Sequence, residues 1–206
     1  MLLFVVLSGH VFSQAKRKSH SGFYKEHEFA VDIGAFYSPV MNKDFIGFNF
    51  DVKYYWSKRF STGGTISYST KRTSDNFGYV DSLPRLDYTS SGWINEVSVV
   101  KTERFKLNIT LNNAFAQLEL VDRSIRKRSS YNTSSIFFSS YPKTIASNFY
   151  YIAEPGLDMS IAIDKSRSFY LTLKSKYRFA FGKTNFGPNK ALSTYYLGLC
   201  LTAIIK

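Results

Sequence analysis

The stretch from Phe45 to Tyr68 restricts the fold of this chain more than any other. Its first half, FIGFNFDVKYYW, alternates strictly. Ile46, Phe48, Phe50, Val52, Tyr54 and Trp56 fall on one parity, and Gly47, Asn49, Asp51, Lys53 and Tyr55 on the other. A repeat of two is that of an extended strand whose side chains leave opposite faces, so the segment predicts a strand with one apolar and one polar face. Ser57, Lys58 and Arg59 interrupt it, and FSTGGTISY resumes the pattern, which reads as an antiparallel hairpin. Tyr54 and Trp56 close the apolar face beside the turn and Phe60 reopens it beyond. A soluble sheet gains nothing by ringing a turn with Tyr and Trp. A transmembrane barrel does, because such rings favour the membrane–water boundary.

The remainder of the chain is consistent with that expectation. Of 206 residues 44% are apolar and 17% aromatic, yet no apolar run is long enough for a membrane-spanning helix. Alternating lipid-facing and lumen-facing residues cancel in any hydropathy window, so the average does not argue against a barrel. The single cysteine, Cys200, allows no internal disulfide and has no neighbouring His or Cys, which reads as a small packed residue. A net charge of +12 raises the question of nucleic acid, but no nucleic-acid-binding motif accompanies it. Basic loops over an acidic glycolipid surface account for the charge equally well.

Residues 1–15, MLLFVVLSGHVFSQA, join an apolar run to a small-residue site at Ser13-Gln14-Ala15 and read as a secretory signal peptide. Residues 16–26 read as a polar tail, and 27–206 as one barrel domain. Eight strands are predicted. The first, about 27–38, sets Phe29, Val31, Ile33, Ala35 and Tyr37 against Glu28, Asp32 and Gly34. A link over 39–44 leads into the opening hairpin, in whose second strand Gly63 and Gly64 suggest a bend or a close backbone approach. A polar loop, about 72–91, precedes strand four (92–101), with Trp93, Val97 and Val99 opposite Glu96. Strand five (105–121) sets Phe105, Leu107, Ile109, Leu111 and Phe115 against Lys106, Asn108, Thr110 and Asn112. Leu118 and Leu120 break its parity, which a bulge or the strand's emergence from the membrane would explain. A second loop, about 122–147, carries Arg123, Arg126, Lys127 and Arg128, then Phe137 and Phe138. Strand six (148–163) has Glu154 and Asp158 on its polar face and Pro155 on its apolar one, where it must cost a ladder bond unless it lies at a bulge. Strand seven (168–181) sets Phe169, Leu171, Leu173, Tyr177, Phe179 and Phe181 against Thr172, Lys174, Lys176 and Arg178. In strand eight, Tyr195, Leu197, Leu199, Leu201, Ala203 and Ile205 oppose Tyr196, Gly198, Cys200 and Thr202.

Short turns alternate with longer connections along the chain, and the charges fall on the less apolar parity. A lysine or arginine on the lipid face near the midplane would cost about 2–4 kcal/mol. Together these features predict an all-β fold: an eight-stranded antiparallel up-and-down transmembrane β-barrel with short periplasmic turns and longer extracellular loops. The alternation by itself also fits a soluble lipocalin-like barrel with the apolar parity turned inward, around an apolar ligand. The aromatic belt of Tyr54, Trp56 and Phe60 favours the membrane sense.

The YYWSKRFSTGGTISY hairpin, the rhythm of turns and loops, and the last strand Tyr195-Tyr196-Leu197-Gly198-Leu199 resemble the small OmpA/OmpW-type outer-membrane barrels, in particular the short "porin family" barrels of Bacteroidota-type bacteria. The resemblance covers about residues 27–206. It implies location in the outer membrane of a Gram-negative bacterium and insertion by the outer-membrane assembly machinery. Such barrels commonly end on an aromatic residue, whereas this chain ends Ile204-Ile205-Lys206.

An eight-stranded barrel is narrow enough for side chains to fill it. The predicted inward set is Glu28, Asp32, Asp51, Glu96, Glu154 and Asp158 with Lys53, Lys106, Lys174, Lys176 and Arg178. It reads either as a charge-paired plug or as a narrow path for small solutes, and the cost of unpaired buried charge favours the plug. Enzymatic chemistry finds little support. The histidines are His10 in the leader, His20 in the tail and His27 at the periplasmic edge of strand one. Glu154 and Asp158 lie roughly 13 Å apart along a strand at ~3.3 Å per residue, too far for a glycosidase pair. No metal-ligand spacing or phosphate-cradling glycine loop is present, so no cofactor is expected. Arg123, Arg126, Lys127 and Arg128 with Phe137 and Phe138 suit contact with outer-membrane lipid, lipopolysaccharide phosphates or a partner protein of unspecified identity. The expectation is a non-enzymatic barrel with a structural or surface-binding role.

Overall fold

A computed structural model describes residues 28–75, 77–79, 83–128, 140–182, 186 and 191–205, and over 125–128 and 140–142 the backbone. The predicted signal peptide, the polar tail, the three histidines, and Phe137 and Phe138 lie outside the described residues. The strands are β1 (Phe29–Val40), β2 (Lys43–Tyr55), β3 (Phe60–Arg72), β4 (Pro84–Lys101), β5 (Phe105–Arg128), β6 (Ser140–Ala162), β7 (Phe169–Phe181) and β8 (Thr194–Ile205). Each pairs antiparallel with the next, and β8 closes on β1 from Phe29↔Ile205 to Tyr37↔Leu197. Closure leaves no strand edge, as a sheet surrounded by hydrocarbon requires.

The strict alternation resolves in the membrane sense. Phe48 is 73% exposed, Ile33 59% and Leu199 53%, while Asp32, Asp51, Lys53, Glu96, Lys106 and Lys174 are buried in the lumen. A lipocalin-like barrel needs the opposite sense, so that alternative is excluded. Phe29, Tyr54 and Trp56 form a belt at the foot of the wall, their rings 5.0 and 4.8 Å apart in sequence. A second aromatic group, including Phe115, Tyr151 and Phe181, lies near the other rim. From Phe169 to Phe181 the apolar face of β7 rises roughly 30 Å, taking ~3.3 Å per residue and a tilt of ~40°, enough to span a bilayer's apolar core.

The connections depart from expectation at the extracellular end. The first link is a two-residue turn, Met41 and Asn42, with β1 running through Pro39 to Val40. Both turn residues have positive φ, 55° and 58°, the left-handed pair that matches the twist of a hairpin. No glycine marks this turn, so its signal in sequence is weak. The predicted loop over 72–91 shrinks to 73–83, because Pro84 to Ser91 already pair with β5. The predicted loop over 122–147 is largely strand: β5 continues to Arg128 and β6 begins at Ser140, paired through Arg128↔Ser140. Polar residues that read as loop therefore extend the sheet beyond the lipid, where the outer face of the wall is wet.

Of the two accounts of Leu118 and Leu120, only the bulge fails. There is no bulge after Ala116; both leucines stay on the inward parity and are buried. The register shifts lie elsewhere, between Ser98 and Val100 on β4 and, beyond Leu120 in the β5–β6 pairing, first at Ile145 of β6 and then over residues 123–125 of β5. At the first of these, Val99 and Val100 both face outward. Pro155 behaves as expected for a residue without a donor: β6–β7 pairing stops at Ala153↔Phe179 and resumes at Gly156↔Lys176.

Candidate functional site

The strands are steeply staggered, and this stagger assembles the lumen. The row of paired residues that leaves β1 at Tyr37 passes through Leu197, Ser175, Leu157, Ile109 and Val97 and arrives at Phe60, the foot of β3. Inward side chains far apart in sequence therefore share one level, and the lumen separates into two layers.

The periplasmic layer is ionic. Lys174 on β7 donates from Nζ to Asp32 Oδ2 at 2.7 Å, to Asn49 Oδ1 at 3.3 Å and to Asp51. Lys53 on β2 bridges Asp32 at 3.1 Å and Glu96 at 2.9 Å. Lys106 on β5 completes the run, donating to Glu96 Oε1 at 2.6 Å and to the Tyr55 hydroxyl at 3.0 Å. Acid and base thus alternate along Asp51, Lys174, Asp32, Lys53, Glu96 and Lys106. Thr65 and Asn49 donate to Asp51 at 2.6 and 2.8 Å, using lone pairs the lysine leaves free. Ion pairs taken out of water survive only with such close geometry and supplementary hydrogen bonds.

A second cluster lies nearer the outside. Arg178 Nε donates to Glu154 Oε1 at 2.6 Å, Asn112 Nδ2 donates to Glu154 Oε2 at 2.7 Å, and the guanidinium stacks over the Tyr88 ring at 4.8 Å. Lys176 lies over the Tyr196 ring at 5.5 Å. The carboxylate oxygens of buried Asp158 have no hydrogen-bond partner among the described residues. Glu28 is buried at the foot of the barrel just ahead of β1, and among the described residues it joins no ion pair. The predicted lumen charges are therefore all buried, and Asp32, Asp51, Lys53, Glu96, Lys106, Lys174, Glu154 and Arg178 are brought into contact. Lys176 and Asp158 are near the network without direct pairing, and Glu28 is apart from it.

The extracellular layer is apolar, contrary to the expected polar filling throughout. Phe36, Phe45, Leu86, Tyr88, Leu118 and Leu120 pack with Tyr150, Ile152 and Tyr196, and Phe186 and Leu192 close over them. Phe186 meets Phe77 of the connection between β3 and β4 at 5.5 Å. Apolar residues on the inward parity look like pattern errors in sequence, but here they form a packed cap over the ionic layer. Tyr55, Asn49, Thr65 and Asn112 were equally inconspicuous, since polar uncharged residues on a polar parity carry no distinguishing mark.

Of the basic cluster, Arg123 is exposed, and Arg126, Lys127 and Arg128 lie on the β5 backbone paired with β6. Among the described residues no group of three or more His, Cys, Asp or Glu could hold a metal ion.

No protein-family model and no curated protein matches the chain. Its fold is nonetheless that of small outer-membrane barrels. Ail, the attachment invasion locus protein of Yersinia pestis, solved with the heparin analogue sucrose octasulfate, superimposes with a TM-score of 0.52 at 15% identity, over 88% of this chain and 100% of Ail. Neisserial surface protein A superimposes with a TM-score of 0.51 at 11% identity, over 87% of this chain and 96% of that one. Shared architecture and an apolar exterior identify a membrane-spanning barrel of the outer-membrane type.

Proposed function

We propose that this chain is a non-enzymatic barrel of a Gram-negative outer membrane, with the interior as a structural plug and the extracellular hairpin of β5 and β6 as the working surface. In this reading residues 1–15 are the export signal, 16–26 a periplasmic tail, and the alternating last strand the part offered to the assembly machinery. The observation that carries the proposal is strand length. β5 and β6 have 24 and 23 residues, against 13 and 12 for β7 and β8. From Phe115 at the outer belt to Arg128, β5 runs roughly 40 Å at ~3.3 Å per residue, well past the lipid. A paired hairpin that projects so far, bearing Arg123, Arg126, Lys127 and Arg128, suits the phosphates of lipopolysaccharide, which arginine binds with bidentate geometry. In sequence the same segment carries Phe137 and Phe138, which would supply apolar contact.

Binding to vesicles containing lipopolysaccharide tests this reading, with sucrose octasulfate as a soluble polyanion competitor. Replacing Arg123, Arg126 and Arg128 together by Glu should weaken binding at least tenfold while the gel shift between boiled and unboiled samples persists. Undiminished binding by the variant would remove the hairpin from the proposal. A narrow channel is the second reading, favoured by Asp158, a buried carboxylate whose oxygens accept no hydrogen bond among the described residues, where a cation or water could rest. Planar-bilayer recording separates the two: silence supports the plug, and steady unit conductance abolished by Asp158→Asn supports the channel.

A further inference from the structure

The lipid-facing wall is not uniformly smooth. A groove of about 450 Å³ opens on the outer face of β2, β3 and β4, with Gly64 and Ser91 at its floor and Phe50, Val52, Ile66 and Trp93 around it. It lies halfway along the membrane-spanning part of β3, between Phe60 and Tyr68. Close to it the wall also carries Thr62, whose hydroxyl donates to Asn95 Oδ1 at 3.0 Å, and the exposed Ser91. Hydrocarbon offers such groups no hydrogen-bonding partner.

Gly64 differs from the neighbouring strand glycines. A Cβ at Gly34, Gly47, Gly63 or Gly92 would come within 1.9 to 2.2 Å of an adjacent strand's carbonyl oxygen, so the barrel itself demands glycine there. At Gly64 the nearest atom would be 3.9 Å away, an ordinary contact, and the wall would accept a side chain. Its absence creates the groove. Directly across the ladder is Trp93, paired with Gly64 and 51% exposed, so a projecting indole and an empty notch lie side by side.

We propose that this face is where a second copy of the chain docks, the Trp93 of each copy entering the Gly64–Ser91 notch of the other. Two barrels inserted in the same sense can be related by a two-fold axis along the membrane normal, which preserves height and exchanges left with right. With the axis between β3 and β4, each knob meets the partner's hole and both contacts form together, as an isologous interface requires. In lipid, association depends on close packing at small residues and on hydrogen bonds between chains, and the groove supplies both means. An acyl chain could fill the notch but could not pair with Ser91 or Asn95. A patch three strands wide and eight residues long covers roughly 400 Å² at ~4.8 Å per strand and ~3.3 Å per residue, about half the ~800 Å² per partner of a standard interface. The dimer is therefore reversible, and dilution into excess lipid separates it.

Cross-linking in reconstituted vesicles tests the proposal. In a Cys200→Ser background, Ser91→Cys should form a disulfide-linked dimer on mild oxidation, while Leu199→Cys on β8, across the barrel, should not. Gly64→Leu, which fills the notch, should lower the yield at least tenfold without abolishing heat-modifiable migration, and Trp93→Ala provides a second check should Gly64→Leu fail to insert. Equal cross-linking at positions 91 and 199 would overturn the inference. So would a yield unchanged by both notch variants, or native mass spectrometry showing a monomer that retains one lipid lost in Gly64→Leu.

Discussion

Lys174→Met is the most decisive perturbation of the ionic layer. Lys174 is fully buried and contacts two carboxylates, Asp32 and Asp51. After the substitution Asp32 keeps Lys53 at 3.1 Å, but Asp51 keeps only the neutral donors Thr65 at 2.6 Å and Asn49 at 2.8 Å within hydrogen-bonding reach. Met fills nearly the same volume, so the loss is mainly electrostatic. Removing one partner of a buried ion pair costs about 3–5 kcal/mol, because the remaining charge stays desolvated. Asp51→Asn in the same chain removes that stranded charge, and the double variant should recover more than about 1 kcal/mol relative to additivity. Urea unfolding in lipid vesicles, followed by the fluorescence of the lipid-facing Trp56 and Trp93 and by gel migration, measures both quantities. A loss under about 1 kcal/mol for Lys174→Met, or strict additivity with Asp51→Asn, would refute the claim that this lysine holds the network together.

Two further outcomes follow from other parts of the barrel. Leu120→Ala in the extracellular cap should cost about 2–5 kcal/mol by opening a cavity. Leu199→Ala should lose only the water-to-hydrocarbon transfer of the removed carbons, about 2 kcal/mol, since lipid refills the space; a cost for Leu120→Ala no larger than that of Leu199→Ala would count against the cap as a packed core. In the turn between β6 and β7, the Ser166 hydroxyl, then the backbone N–H groups of Phe169 and Ser168, hold the Asp164 carboxyl down to about 2. A depressed carboxylate pKa contributes stability that is fully present above the unfolded value near 4 and is lost as pH falls through about 2. Hydrogen exchange at the Phe169 amide should therefore accelerate between pH 4 and 2 beyond its intrinsic rate, and Asp164→Ala should flatten that dependence.

Strand identity and the sense of the wall were legible in the sequence because period two is a local signal. Ile46 to Trp56 reports its own two faces, and the Tyr54–Trp56–Phe60 belt reports which face meets lipid. Strand ends were not legible above the membrane. Where the outer face of the wall leaves the lipid and becomes wet, Arg85, Asp87 and Ser147 carry the composition of a loop while pairing as a sheet. Nor was the apolar cap, since Leu118 and Leu120 contradict the rule that inward means polar. That rule holds only where the lumen must remain compatible with charge.

The pairing of charges depends on a quantity no local pattern contains. Which carboxylates Lys174 meets is open until the stagger is known, and a change of two residues in the closure of β8 on β1 would preserve every parity while giving β8 new partners along β1. The barrel nevertheless closes at one register, Ile33 opposite Leu201. At that register Gly198, without a side chain, lies between Lys174 and Phe36, leaving Lys174 room to cross β8 and reach Asp32 and Asp51. Displacing β8 on β1 by two residues would leave Gly198 beside Lys174 but move Asp32 along the wall by roughly 7 Å at ~3.3 Å per residue, breaking its contact with the lysine. The ionic layer thus serves a specific physical purpose: hydrophobic alternation fixes which side each residue faces, and buried charge complementarity selects among the registers that alternation leaves degenerate.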